Sequence, residues 1–144
     1  MDSPGEALER VNEALSARIP ANTLVTCFYG VLDPKSGHLS YANAGHNLPC
    51  RRHDGQADEL RARGMPLGLM PGMAYEEKAA MLVNGDSVLF YSDGLVEAHD
   101  TKGEMFGFPR LRELVAEHGQ GEEGRALRDV LMEELYSFTG EEWE

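Results

Sequence analysis

The side chains of this chain best placed to do chemistry are the carboxylate of Asp93, just after the apolar run Ser87 to Tyr91, and a polar group at Asn43, Gly45 and His46. A carboxylate on the first residue beyond a rigid buried strand is held firmly enough to ligate a hard cation. Gly94 behind it permits a tight backbone turn. The same pair also reads as a turn cap, the simpler reading of these two residues alone, because Asp-Gly is a common turn pair. Glu97 follows by a short helical step and reads either as a support for Asp93 or as an exposed side chain. At the other cluster, Gly45 lets the backbone bend at a strand end, so that the polar groups of Asn43 and His46 can approach a site. His46 has no helix-spaced histidine partner, and a strand-end hydrogen bond is its simplest role. Asp86, in Gly85-Asp86, reads as a turn residue. Glu122, Glu123, Glu133, Glu134, Glu141, Glu142 and Glu144 read as solvated surface. Cys27 and Cys50 lack the close spacing of a redox pair or a zinc knuckle and read as two buried, reduced thiols.

Ser3, Pro4 and Glu6 form a helix start, and Leu8, Val11, Leu15 and Ile19 recur at helical spacing up to Pro20. That stripe needs a sheet to cover. Leu24 to Leu32 is apolar on both faces and is predicted to be a central strand. Asp33 to Gly37 turns it into a hairpin with a returning strand through Leu39 and Tyr41. A second hairpin is written around Asp54 and Gly55, and its Arg-rich flanks suggest an exposed edge. Gly64 to Gly72 is a shaped crossover loop anchored by Leu67. Met73 to Leu82 and Ser87 to Tyr91, joined by Asn84, Gly85 and Asp86, are predicted to form a third hairpin. Two helices follow: Phe108, Leu111, Leu114 and Val115 mark one, and Leu127, Val130, Leu131, Leu135 and Phe138 mark the other, with a link from Gly119 to Gly124 between them. Antiparallel hairpins followed by segregated helices predict an α+β fold.

Length and charge narrow the function. The 144 residues suit one domain, and 42% hydrophobic with 26% charged residues allows a packed core. A formal charge of −12 repels a phosphate backbone, which argues against nucleic acid. No apolar run approaches the ~20 residues of a membrane span, and no secretory signal is legible at Met1 to Glu9. The cytoplasm is the expected location.

Five motifs in order, Thr26 to Asp33 (TCFYGVLD), Tyr41 to His46 (YANAGH), Gly64 to Leu69 (GMPLGL), Gly85 to Ala98 (GDSVLFYSDGLVEA) and Gly103 to Gly107 (GEMFG), resemble the SpoIIE-like branch of the PPM-type metal-dependent protein serine/threonine phosphatases. The resemblance implies a sandwich of two antiparallel sheets with flanking helices and a site for two Mg²⁺ or Mn²⁺ ions. It also implies that a metal-activated water, and no side chain, attacks the phosphomonoester. Asp93 matches one metal-binding acid of the family, with Gly94 beside it, Asn43, Gly45 and His46 match the AGH signature as supporting positions, and Glu97, a short helical step after the Asp-Gly, is a further candidate support. The family's upstream Gly-Asp acid and its later Asp-Asp or Asp-Asn motif find no counterpart, so residues 1–144 are expected to be a partial domain, incomplete at both ends. One carboxylate cannot hold two dications about 3.5 to 4 Å apart against their mutual repulsion.

The implied function is dephosphorylation of a phosphorylated regulatory protein such as an anti-sigma-factor antagonist, with this span alone inactive. Two other readings are a non-catalytic partner-binding module built on the same sandwich, and an unrelated α+β domain whose DG and AGH are turns. Exposed strand edges in an incomplete sandwich lead to an expectation of self-association.

Overall fold

The computed structural model describes residues 3–20, 22–118 and 124–140. In chain order the elements are α1 (Pro4–Ser16), β1 (Cys27–Leu32), β2 (His38–Ala44), β3 (Cys50–His53), β4 (Gln56–Glu59), β5 (Lys78–Met81), β6 (Ser87–Leu89), α2 (Asp93–Val96), α3 (Phe108–His118) and α4 (Gly124–Thr139). This is an α+β fold with two antiparallel three-stranded sheets. The chain folds as two compact units, residues 1–48 with 61–83 and residues 49–60 with 84–144.

In the first unit the sheet runs β1-β2-β5. The expectation that Leu24 to Leu32 is a central strand is corrected: β2 takes the centre and β1 lies at an edge, with Tyr29 and Leu32 exposed. Alternation shows how apolar a strand is, but not which neighbours it finds. The first hairpin is as expected, with Asp33 N–H donating to the His38 carbonyl and Gly37 N–H to the Asp33 carbonyl. Helix α1 starts as written: Ser3 Oγ accepts from Glu6 N–H and Pro4 occupies the first turn. Its buried face, however, is Pro4, Gly5, Leu8 and Asn12, while Val11 is exposed. Leu8 joins Ala42, Ala44, Leu67 and Tyr75 in the core of this unit. Cys27, expected to be buried, is only half-buried at its edge.

The Asn12 side chain explains the rotation of α1. Its Nδ2 donates to the Met70 carbonyl at 3.0 Å, and its Oδ1 accepts from Gly68 N–H at 2.8 Å. A polar side chain buried on a helix must find such partners, and here they are the backbone of the crossover loop. Leu67 anchors that loop as expected, 2% exposed, with N–H and C=O both paired to Val25.

In the second unit the sheet order is β4-β3-β6. Asp54 and Gly55 both take positive φ, as a two-residue hairpin turn demands, and join β3 to β4. The Arg-rich flank was expected to be an exposed edge. β4 does lie at an edge of the sheet, but β3 is central, and Arg52 is 8% exposed with Nε donating to the Ala116 carbonyl of α3. Helices α3 and α4 cover this sheet through Leu111, Val115, Leu127, Leu131 and Leu135, with Cys50 fully buried beneath them. Phe106, from the GEMFG motif, plugs the same core and meets Phe138 edge to face.

The third predicted hairpin does not form. β5 pairs with β2 and β6 pairs with β3, so the turn at Asn84 to Asp86 carries the chain from one sheet to the other. Asp86 supplies the physical reason. Its carboxylate accepts from Arg51 Nη2 at 2.9 Å and lies 2.7 Å from His53 Nδ1, with the Asp86 side chain 4% exposed. Those contacts tie the start of β6 to β3, and Asp86 is a buried clamp as well as a turn residue. The link from Gly119 to Gly124 lies largely outside the described residues, as do Glu122, Glu123, Glu141, Glu142 and Glu144.

Candidate functional site

The first candidate region is the turn after β2. Asn43 is 2% exposed, and its side chain grips the backbone of His46 in both directions: Nδ2 donates to the His46 carbonyl at 2.9 Å and Oδ1 accepts from His46 N–H at 2.8 Å. Gly45 sits between them at φ +69, where a Cβ would also press into the Pro66 ring at 2.7 Å. His46 makes the expected strand-end hydrogen bond, between Nδ1 and Thr26 Oγ1 at 3.0 Å. Gly64 is packed so closely that a Cβ would collide with the Asn43 carbonyl. The Asn-Ala-Gly-His turn and the Gly-Met-Pro-Leu-Gly loop are thus built against each other, and glycine is required on both sides.

Beside this turn lies an open groove of about 780 Å³, walled by Asn43, His46, Arg63, Met65, Met73 and Tyr75 among others. Tyr75 is 5% exposed, and its hydroxyl finds no hydrogen-bond partner among the described residues. Burial, then the nearby Glu9 carboxylate, pushes the Tyr75 phenol above its ordinary range. Neither Arg63 nor Tyr75 stands out in the sequence: Arg63 adjoins the Gly-Pro-rich crossover, and Tyr75 lies in the stretch Met73 to Leu82 predicted as a strand, of which only Lys78–Met81 forms β5.

The second candidate region is the turn after β6. β6 ends at Leu89, so Asp93 is four residues beyond the strand and opens the single turn α2. Its backbone carbonyl accepts from Glu97 N–H at 2.8 Å. The side chains of Asp93 and Glu97 are both exposed. Gly94 was expected to permit a tight turn, but it lies within α2 without positive φ, and a Cβ there would meet only Ser92 Oγ at 3.7 Å. Ser92 and Gly94 line an apolar cavity of about 440 Å³ with Leu131, Met132 and Leu135 of α4. Tyr91, just upstream, is pushed up to about 12, by burial first and then by Glu59, Cys50 and Asp93. Burial likewise raises the Cys50 thiol to about 11.

The structure therefore brings Asn43, Gly45 and His46 together in one unit and Asp93, Gly94 and Glu97 together in the other. Among the described residues no three His, Cys, Asp or Glu side chains gather so as to hold a metal ion. Asp86, the other acid next to a glycine here, is already engaged by Arg51 and His53. The described residues do not by themselves fit a two-metal centre, because one exposed carboxylate does not balance two dications.

The sequence profile of the Stage II sporulation protein E (SpoIIE) family matches residues 1–143. The chain belongs to the SpoIIE family. Among curated relatives, this SpoIIE-family chain is similar to Protein IcfG of Synechocystis sp., 30% identical over 111 residues that make up 76% of this chain and 17% of IcfG. It is also similar to the phosphoserine phosphatase RsbU of Bacillus subtilis, 27% identical over 117 residues, 80% of this chain and 35% of RsbU. The chain thus spans well under half the length of either relative. Among solved structures, the RsbU and RsbW domains of Rv1364c from Mycobacterium tuberculosis superpose with a TM-score of 0.78 at 28% identity, over 96% of this chain and 38% of that one. The SiaA-PP2C domain of Pseudomonas aeruginosa gives 0.83 at 18% identity, over 96% and 55%. The second likeness concerns the fold alone, and it is that of a PP2C phosphatase domain.

Proposed function

We propose that this chain forms part of the catalytic domain of a protein serine/threonine phosphatase that removes phosphate from a phosphorylated regulatory protein, such as an anti-sigma-factor antagonist. The observation that carries the reading is the family match over residues 1–143, with Asp93 exposed at the turn where the resemblance calls for a metal-binding acid. In this reading Asp93 is one oxygen ligand for Mg²⁺ or Mn²⁺, and the remaining ligands lie outside the described residues. No step of hydrolysis is assigned to the described side chains. The two cysteines are free thiols, which supports work in the reducing cytoplasm. No helix among the described residues is long and apolar enough to cross a membrane.

The reading is tested by phosphate release from a phosphoserine protein with Mn²⁺, using the whole protein that carries this chain and its Asp93→Asn variant. Release that falls at least 100-fold in the variant supports it, and release that the variant leaves intact overturns it. A second reading, a non-catalytic partner-binding module on the same fold, is favoured by the lack of a gathered ligand set among the described residues. It requires that the whole protein release no phosphate. The exposed side chains of β1 and the residues leading into it, Leu24, Val25, Tyr29 and Leu32, also support self-association. Sedimentation as a monomer at high concentration would count against that.

A further inference from the structure

The groove beside the Asn43–His46 turn combines features that the phosphatase reading does not use. Arg63 is exposed on its wall, and its guanidinium meets no carboxylate among the described residues, although the chain carries a formal charge of −12. Thr26 takes His46 Nδ1, which leaves Nε2 without a partner among the described residues. The groove's one carboxylate, Glu76, accepts from Arg63 N–H and lies 3.9 Å from Lys78 Nζ, so its charge is already partly answered. At physiological salt, charges beyond about 8 Å are largely screened. An anion inside the groove therefore responds to Arg63, to His46 and, at the Tyr75 wall, to the Glu9 carboxylate more than to the acidic surface as a whole.

The remaining walls narrow the ligand. Met65 and Met73 offer flexible thioethers, the kind of surface that adapts to varied apolar side chains. Tyr75 is the groove's one phenol ring, and at 5% exposure it has no open face on which a base could stack, which disfavours a nucleotide. A volume of about 780 Å³ far exceeds a phosphate ion and suits several residues of extended chain.

We propose that this groove binds an extended peptide segment bearing a phosphoryl group, with Arg63 and His46 on the phosphate oxygens and Met65 and Met73 against the flanking apolar side chains. The ligand class rests on the phosphatase reading, since it makes the groove a recognition site for the phosphoprotein substrate. Arg63 is the anchor, because a guanidinium pairs with phosphate oxygens in bidentate geometry.

The test uses the chain labelled with ¹³C at its methionine methyls and a degenerate phosphoserine peptide pool, X-X-pSer-X-X flanked by leucine. The expected result is a shift of the Met65 and Met73 methyls with Met132, in the apolar cavity of the other unit, unmoved. Arg63→Glu should weaken binding at least 10-fold without changing the melting temperature. Equal binding of the unphosphorylated pool, shifts confined to Met132, undiminished binding by Arg63→Glu, or no shift at all would each overturn the proposal. Phosphate release from the same pool by the whole protein with Mn²⁺ is followed separately. Methyl shifts without release sink the phosphatase reading alone, and release without methyl shifts sinks the groove alone.

Discussion

Asp86 and Asp93 stand seven residues apart in one unit, each beside a glycine, and their carboxylates meet opposite surroundings. Asp86 follows Gly85, is almost wholly buried, and is occupied by Arg51 and His53. Asp93 precedes Gly94 and is exposed, its side chain pairs with none of the described residues, and its backbone carbonyl accepts from Glu97 N–H. A carboxylate that holds the fold together is already answered by cations. A carboxylate kept for an external ligand must be left unanswered, and its location then depends on the rigidity of the backbone beneath it. The residue pair alone, Gly-Asp or Asp-Gly, does not separate the two cases. What separates them is that Arg51 and His53 alternate on one face of β3, opposite the start of β6.

Replacing Asp86 should produce the largest loss of stability in this comparison. Removing one partner of a buried ion pair costs about 3 to 5 kcal/mol, and the low end applies because the Arg51 side chain retains 20% exposure through which it can reach water. Asp86→Ala is expected to lower the unfolding free energy by about 3 kcal/mol in urea. His53→Ala should cost much less, since His53 is 51% exposed. Equal costs for the two variants would show that the clamp is centred elsewhere.

Asp93→Asn should invert that pattern. With an exposed side chain that pairs with none of the described residues, its effect on stability should stay within about 0.5 kcal/mol. Its effect on phosphate release by the whole protein is expected to reach at least about 100-fold, roughly 2.7 kcal/mol of barrier. A variant that melts early and turns over normally would place Asp93 with Asp86 as a structural residue.

Asn43→Ala tests whether the other turn belongs with the clamp or with the ligand. Its amide is buried and makes two hydrogen bonds to the His46 backbone, which would leave a part-buried donor and acceptor unpaired. A loss of about 1 to 3 kcal/mol is expected in urea unfolding, together with changed NMR chemical shifts of the His46 ring. A silent variant would mean that the groove wall does not depend on this turn.

The parts of the fold legible in the sequence are those whose cause is local. The caps at Ser3 and Pro4, the turns at Asp33 to Gly37 and at Asp54-Gly55, and the 3.6-residue stripes of α3 and α4 all formed as written. What failed was partner choice. β1 was expected at the centre and lies at an edge, and β5 and β6 read as a hairpin yet join different sheets. Strand order is fixed by contacts between distant segments, such as Arg51 with Asp86, which a period-2 pattern does not carry. The candidate site divides in the same way. Asn43, Gly45 and His46 lie close in sequence and were found together, whereas Arg63 and Tyr75 reach the same groove from an irregular segment. Asn12 was legible in principle: Leu8, Asn12 and Leu15 share one helical face, and a polar residue on that face signals a buried partner.

Tyr91 gives the finest division between the two aspartates, because Asp93 is one of the causes that raise its phenol to about 12 and Asp86 is not. Burial is the largest cause and Asp93 the smallest, so Asp93→Asn should lower the absorbance titration of Tyr91 only slightly. The sign for stability follows from linkage. The Cys50 thiol and the Tyr91 phenol both have folded-state values above their ordinary ones of 9.0 and 10.0, so the folded state holds these protons more tightly than the unfolded chain does. Their contribution is fully present below about pH 9. It is lost as pH rises through about 11 for Cys50 and about 12 for Tyr91. Urea midpoints measured upward from pH 8 should therefore hold steady and then fall above pH 9, and Cys50→Ala should remove the earlier part of that fall. A midpoint that rises with pH across this window would mean that neither group is buried as the core of the second unit requires.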